Sequence, residues 1–373
     1  MRGLLKYLAP FAPDQSGACG VLYELGGILV ICDAGGCTGN VCGFDEPRWF
    51  LEKSRIFSAG LRDMDAILGK DDLLAKKLGK ILKTMDAPFA ALISTPVPAV
   101  IATDFAALRH LCEKECPNVP ILSVDARGMG LYDEGEEEAY MALFHAFMDK
   151  PADDVDPAKG EVVGILGATP LNTSYVDPYA ALCACPAFAD KKILCYGLKG
   201  GEEDPLAPLS HPERIAKNLV IAPSGLRLAQ RMQATYGIPY EMDYPLLDTS
   251  LVREMRERLQ TTAKEKGKKE EDLKILILHQ QIAANALRTA LGREEDENCV
   301  CGSFFMMKPA FKKTRDMRFK EETGLIRYVE EEAFDVIIGD AMFARCFAKE
   351  GPVCIPWKHF AVSGELYDGG MCL

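Results

Sequence analysis

Two kinds of segment alternate along the 373-residue chain. Short unbroken apolar runs recur, each followed by a stretch with apolar positions every three to four residues. Runs at 28–32, 90–94 and 121–124 predict strands, while 72–84, 105–115 and 136–147 carry the helical period. Unbroken rather than alternating apolar runs suit strands covered on both faces, as in parallel sheets. The acidic, proline-bearing segment 148–157 predicts a linker. Beyond it, 161–167, 192–196 and 218–222 predict strands and 225–236 a helix; a charged, helix-prone run at 262–272 precedes strands at 274–278 and 334–340. The expected fold class is α/β, with three Rossmann-like domains at 1–155, 156–265 and 266–373, each with a mainly parallel sheet, around a central cleft. Ligands in such folds sit beyond the carboxyl ends of strands.

A formal net charge of −12 argues against a nucleic-acid partner. No apolar run approaches the ~18 residues of a membrane span. The start of the chain lacks the apolar core and cleavage site of an export signal, so a cytoplasmic location is expected. Fourteen cysteines in a reducing compartment need another explanation than disulfides. Most are expected to be small buried hydrophobes.

The thiols that stand out lie just after the first strand, in Gly35-Gly36-Cys37-Thr38-Gly39-Asn40-Val41-Cys42-Gly43, with Cys19 upstream. Glycines let a backbone approach a cluster's sulfides, and thiolates prefer soft metals. Cys37 reads as an iron–sulfur ligand or as a free thiol in a tight turn. Cys42 reads as a second ligand or a half-exposed loop thiol. Cys19 reads as a ligand activated by the amides of a helix start, or as a buried helix residue. Cys32 ends an apolar strand and reads as core. The pairs Cys112/Cys116, Cys183/Cys185 and Cys299/Cys301 read mainly as packing thiols, the last being the pair expected at the surface. Gly164–Pro170 lacks any phosphate-binding motif, and no G-x-x-x-x-G-K-[ST] occurs in the chain, so ATP hydrolysis by this chain is not expected.

Five collinear segments carry a family resemblance. Tyr23–Phe44, with its Gly-Gly-Cys-Thr-Gly-Asn turn, resembles a cluster-ligand segment of nitrogenase component 1 and its relatives, which include cofactor-assembly scaffolds and tetrapyrrole reductases. Ser58 to Gly69, Ser94-Thr95-Pro96 with Ile101 to Asp104, Asn218 to Ala222 with Tyr236 to Tyr240, and Ile355-Pro356-Trp357 with Ser363 to Gly369 keep the family's order. The resemblance spans nearly the whole chain, which stops short of the family's usual length.

That resemblance implies a subunit holding an iron–sulfur cluster, [4Fe-4S] in type and open to sharing across a subunit interface, with Cys37, Cys42 and Cys19 as candidate ligands. It implies a homo- or heterodimer with a related component 1 subunit, and electrons delivered by a P-loop ATPase iron–sulfur reductase. His359 falls one residue out of register with the family's cofactor-ligating histidine, and reads either as a cofactor contact or as a satisfied core histidine. Departures are equally plain. The first family ligand falls near Ala12–Pro13 and the third at Thr95, neither a thiol, and the catalytic-cofactor ligand falls at Ala222. Dinitrogen reduction on a complete cofactor is therefore not expected. The alternatives are a non-catalytic metallocluster or tetrapyrrole scaffold, or a cluster-free partner subunit.

Overall fold

The computed structural model describes residues 5–62, 71–100, 103–148, 155–200, 204–348 and 351–361. Parts of the resemblance segments, namely Asp63 to Gly69, Ile101–Ala102 and Ser363 to Gly369, lie outside them.

Three all-parallel sheets form in sequence. The first comprises β1 (Ile28–Ile31), β2 (Ile56–Ser58), β3 (Ala90–Ile93) and β4 (Ile121–Val124), in the order β2-β1-β3-β4. The second comprises β5 (Val162–Leu166), β6 (Lys192–Cys195), β7 (Ile215–Val220) and β8 (Tyr240–Met242), in the order β6-β5-β7-β8. The third has β9 (Ile275–Leu278), β10 (Cys299–Ser303), β11 (Met317–Arg318), β12 (Val336–Gly339) and β13 (Val353–Pro356), in the order β11-β10-β9-β12-β13. The central strands β1, β3, β5, β9 and β12 are buried at every position, as their unbroken apolar runs require.

Each sheet is wound the same way. The chain leaves its first strand in one direction and then returns to add strands on the other side. The reversal opens a crevice at the carboxyl ends of β1/β3, β5/β7 and β9/β12. Those three switch points position everything described below.

Two expectations change. The charged run at 262–272 is split: its first four residues end a longer helix, Thr249–Glu265, which turns Met255, Leu259 and Ala263 inward, and a short turn at Glu270–Asp272 follows. The helix stops just before Gly267, whose φ of +63° leaves the helical region. The two C-x-C pairs exchange environments. Cys299 and Cys301 lie buried in β10, at the middle of the third sheet, while Cys183 is exposed at the end of the short helix Pro178–Cys183. The acidic run before Cys299 belongs to the turn entering the strand, and says nothing about the strand itself.

Helix α1 (Asp14–Leu22) is buried at every residue and crosses α2 (Tyr132–Leu143) at backbone contact. A Cβ on Gly17 would stand 1.8 Å from the Tyr132 carbonyl oxygen, and one on Gly135 would stand 1.7 Å from that of Asp14. At the other end of the chain's path, the amides of Lys6, Tyr7 and Leu8 donate to the carboxylate of Glu322, and Leu8 enters the core of the third unit.

Because backbone rather than a movable side chain blocks the added methyl, Gly17→Ala and Gly135→Ala should each destabilise the fold by about 3 kcal/mol or more. Gly324→Ala, in the helix Glu322–Glu332 and with nothing within 4 Å of the added Cβ, should be neutral or stabilising by up to ~1 kcal/mol. Denaturant unfolding of the three variants measures this; equal effects would show that the crossing is not tight.

Candidate functional site

At the switch point of the first sheet, β1 runs out into Cys32 and Asp33. The Asp33 carboxylate organises the loop that follows. It accepts from the Thr38 amide at 2.8 Å, the Thr38 hydroxyl at 3.0 Å and the Ser58 hydroxyl at 2.6 Å. Its carbonyl accepts from the Leu61 amide at 2.8 Å. Gly35 takes φ +117°, a conformation side chains avoid, and starts the single turn Gly36–Asn40 that presents Cys37.

The Cys37 thiol is half-buried and senses the side chain of Thr95, which follows β3 across the switch point. Thr95 is itself pinned, donating to the Cys32 carbonyl at 2.8 Å. Burial raises the Cys37 pKa, and the Asp33 and Asp14 carboxylates add to the rise, while Thr95 opposes it. The free thiol form is thus favoured over the thiolate. An anionic surround of this kind favours a cation, which displaces the thiol proton when it binds.

Asp14 opens α1 with both oxygens occupied. The amides of Gln15 at 2.8 Å, Gly128 at 2.9 Å and Gly130 at 3.2 Å donate to it. The loops around Cys37 are open to the outside. A Cβ on Gly35, Gly36, Gly39 or Gly43 would meet nothing within 4 Å. The loops that follow β1, β3 and β4 also expose Phe44, Val97, Val100 and Met129.

Cys19 and Cys42 stand elsewhere. Cys19 is fully buried in α1, and Cys42 is buried in the wide helical turn Val41–Asp45. They are neighbours of each other in the main core. Burial drives the Cys19 pKa far up, against the expectation that helix amides would lower it, because Cys19 sits in mid-helix rather than at the first turn. Burial, then Glu46, pushes Cys42 up to about 11. Among the described residues, no three His, Cys, Asp or Glu side chains are arranged to hold a metal ion.

His359 belongs to a second constellation, built at the switch points of the other two sheets. Thr169 and Asn172 follow β5, Ser224 follows β7, His279 follows β9, Asp340 follows β12, and Trp357 and His359 follow β13. Helix α2 enters from the first unit, carrying Tyr132 and Glu136 one turn apart. All of these are buried. The Glu136 carboxyl contacts Thr169 Oγ1, Asn172 Nδ2 at 2.6 Å and Ser224 Oγ at 2.7 Å. The Tyr132 hydroxyl lies 2.9 Å from Asn172 Oδ1 and 3.1 Å from His359 Nε2. The His359 ring stacks on His279 at 4.2 Å, and His279 on Trp357 at 4.1 Å. Burial lowers His279 to about 4, and burial with the neighbouring His279 ring also depresses His359, so both rings are neutral.

Sequence reasoning singled out His359 but missed Tyr132, Glu136, Asn172 and His279. A signal was present: Tyr132, Glu136 and Tyr140 recur at four-residue spacing on one helix face, and all three are buried. His279 directly follows the apolar run of β9, where an α/β fold places its chemistry.

The comparisons with known proteins now bear on this geometry. Residues 16–276 match the family model described as nitrogenase component 1 type oxidoreductase. The chain belongs to that family. Two solved structures share its fold. One, described as nitrogenase Cp1 at pH 6.5, is 10% identical with a TM-score of 0.66, covering 97% of this chain and 90% of that one. The other, nitrogenase Cp1 at pH 5, is 11% identical with a TM-score of 0.61, covering 96% of this chain and 85% of that one. No curated protein matches the chain by sequence. In this family member Cys37 and Thr95, the positions where the resemblance aligns two ligands, do lie side by side, and only one carries a thiol. No helix among the described residues is long and apolar enough to cross a membrane.

Alkylation followed by peptide mass spectrometry should label Cys183 and Cys37 in the native protein, and Cys19 and Cys42 only after unfolding. The Cys37 rate should keep climbing as pH passes 9, since its thiol lies above that ordinary value. Labelling of Cys19 as fast as Cys37 would contradict the burial described.

Proposed function

We propose that this chain is a subunit of a nitrogenase-component-1-like oxidoreductase and that Cys37 lends one thiolate to an iron–sulfur cluster shared with a second, related subunit. One observation carries this reading. At the first switch point a half-buried thiol is framed by glycines with open space beside them, at a sheet end whose loops expose apolar side chains.

The residues fit one ligand position and no more. A cubane takes four thiolates. Two Cys37 side chains from a symmetric pair supply half of that number, and Cys19 and Cys42 are turned into the core. A heteromeric partner that is richer in surface cysteines therefore suits the site better than a second copy. The exposed apolar side chains of those loops belong to the surface it would cover.

When bound, such a cluster supplies one-electron storage at low potential. What this chain's residues do is narrower. Asp33 holds the loop through Thr38 and Ser58, so that Cys37 keeps one orientation. Thr95 and the Asp33 and Asp14 carboxylates set the thiol's protonation. The exposed apolar side chains exclude water once a partner covers them. Electrons would arrive from a separate ATP-dependent iron–sulfur reductase, as the family resemblance implies.

A second reading, a partner subunit or carrier without its own catalytic cofactor, draws on the other constellation. Tyr132, Asp340 and the His279 ring engage His359, and Ala222 replaces a ligand. Under both readings His359 is a structural residue of the central junction.

Co-expression with a related component 1 subunit and anaerobic purification test the proposal. The complex is expected to be brown with about four irons per cluster. Cys37→Ala should lose most of that iron while its unfolding free energy stays within ~0.5 kcal/mol of the parent. Unchanged iron in the variant would falsify the assignment of Cys37, and an iron-free parent complex would favour the cluster-free reading.

A further inference from the structure

The segment 5–12, which leads into α1, does not join the first sheet. It crosses to the third unit and is held there by a side chain. The amides of Lys6, Tyr7 and Leu8 donate to one carboxylate, that of Glu322, at 2.5, 3.0 and 3.1 Å. Glu322 opens the helix Glu322–Glu332 and is itself buried. A strand in a sheet spreads its hydrogen bonds along a neighbouring backbone. Here three successive donors share one acceptor, and all three lose it together if that carboxylate goes.

Two apolar side chains complete the attachment. Leu8 joins the core that holds Phe304, Phe319 and Phe343. Phe11, half-buried, packs on Phe304 at 4.9 Å and on Phe305 at 5.1 Å. Leu5 and Tyr7 stay exposed.

Behind the segment stands the constellation of His359. Phe305 contacts both Phe11 and the His359 ring, the latter at 5.0 Å. Ala12 accepts from the Tyr132 amide at 2.9 Å and donates to the Ala361 carbonyl at 2.8 Å. The Tyr132 hydroxyl in turn meets His359 Nε2. Burial deepens along this path: Phe11 is partly exposed, whereas Ala12, Phe305, Tyr132 and His359 are buried. Ala12, Tyr132, Phe305, Phe360 and Ala361 form one apolar cluster.

We infer that residues 5–12 are a strap sealing the central junction, that Glu322 is its fastener, and that its release opens a way to His359 while the three units stay together. The first and third units also touch without the strap. Helix α2 reaches the third unit directly, through Glu137 to Lys308 at 2.6 Å, Glu134 to Arg318 at 3.1 Å, and Asp133 to the Met306 amide. The strap can therefore let go without parting the units. His359 is reached first, and His279 lies one ring deeper, stacked between His359 and Trp357. None of these contacts involves Cys37, so the strap works the same with or without a cluster there.

Trypsin and diethylpyrocarbonate, each applied to the full chain and read by peptide mass spectrometry, test the strap. Cutting after Lys6 reports release, because a protease needs a stretch of unfastened backbone. Modification of imidazole reports access, with the exposed His110 and His211 as references. In the parent the bond after Lys6 should resist, and His359 and His279 should stay unmodified at a dose that saturates both references. Glu322→Ala should be cut after Lys6, and its His359 should react faster by about tenfold or more, with His279 lagging and the circular dichroism spectrum unchanged. Cutting after Lys6 with His359 as protected as in the parent overturns the seal. An uncut Glu322→Ala overturns the fastener. If Glu322→Ala does not fold, native-state hydrogen exchange of the parent decides. The amides of Lys6, Tyr7 and Leu8 should then exchange well before those of β9, and exchange of both sets only in global unfolding overturns the strap.

Discussion

Contact between two helix backbones governs this molecule. Gly17 and Gly135 let α1 and α2 touch without side chains between them. One end of the crossing sets Asp14 beside Gly128 and Gly130, near Cys37. The other face of α2 delivers Tyr132 and Glu136 into the meeting place of the three sheets. The half-buried thiol and the buried polar network are therefore both tied to one close helix pair, and a residue larger than glycine at the crossing would disturb both.

The repeated winding explains why chemistry gathers where it does. Parallel strands end together, and the reversal of strand order leaves a crevice that neighbouring loops must line. The first unit turns its crevice outward and lines it with glycine, a threonine and one cysteine. The second and third turn theirs inward, against α2, and fill them with side chains that satisfy one another. The same topology thus yields an accessible face suited to sharing a ligand with a partner and a closed junction suited to holding three units in register.

Much of this was legible in the sequence. The α/β class and the central strands follow from unbroken apolar runs that have no other place to go than the middle of a covered sheet. The Cys37 loop announced itself through glycine spacing, and Thr95 was identified by the order of segments alone. The cysteine environments were less legible. Whether Cys19 or Cys42 faces a surface depends on how α1 packs against the loop after β1, a long-range contact that local pattern does not encode. The two C-x-C pairs were misplaced for a related reason: flanking charge describes a turn, whereas the depth of β10 in the sheet depends on strands far along the chain. The buried polar chain was hidden most completely, because its members come from three units and each alone looks like an ordinary helix or strand-end residue.

The central claim is that a partner-shared metal centre engages the Cys37 sulfur. Its most direct test is the alkylation footprint of the anaerobic, iron-loaded complex against the same complex stripped of iron, with the exposed Cys183 as internal reference. Iron-dependent protection of Cys37, with Cys183 labelled equally in both samples, is the predicted result. Equal labelling of Cys37 with and without iron, in a complex that carries its full complement, would contradict the account.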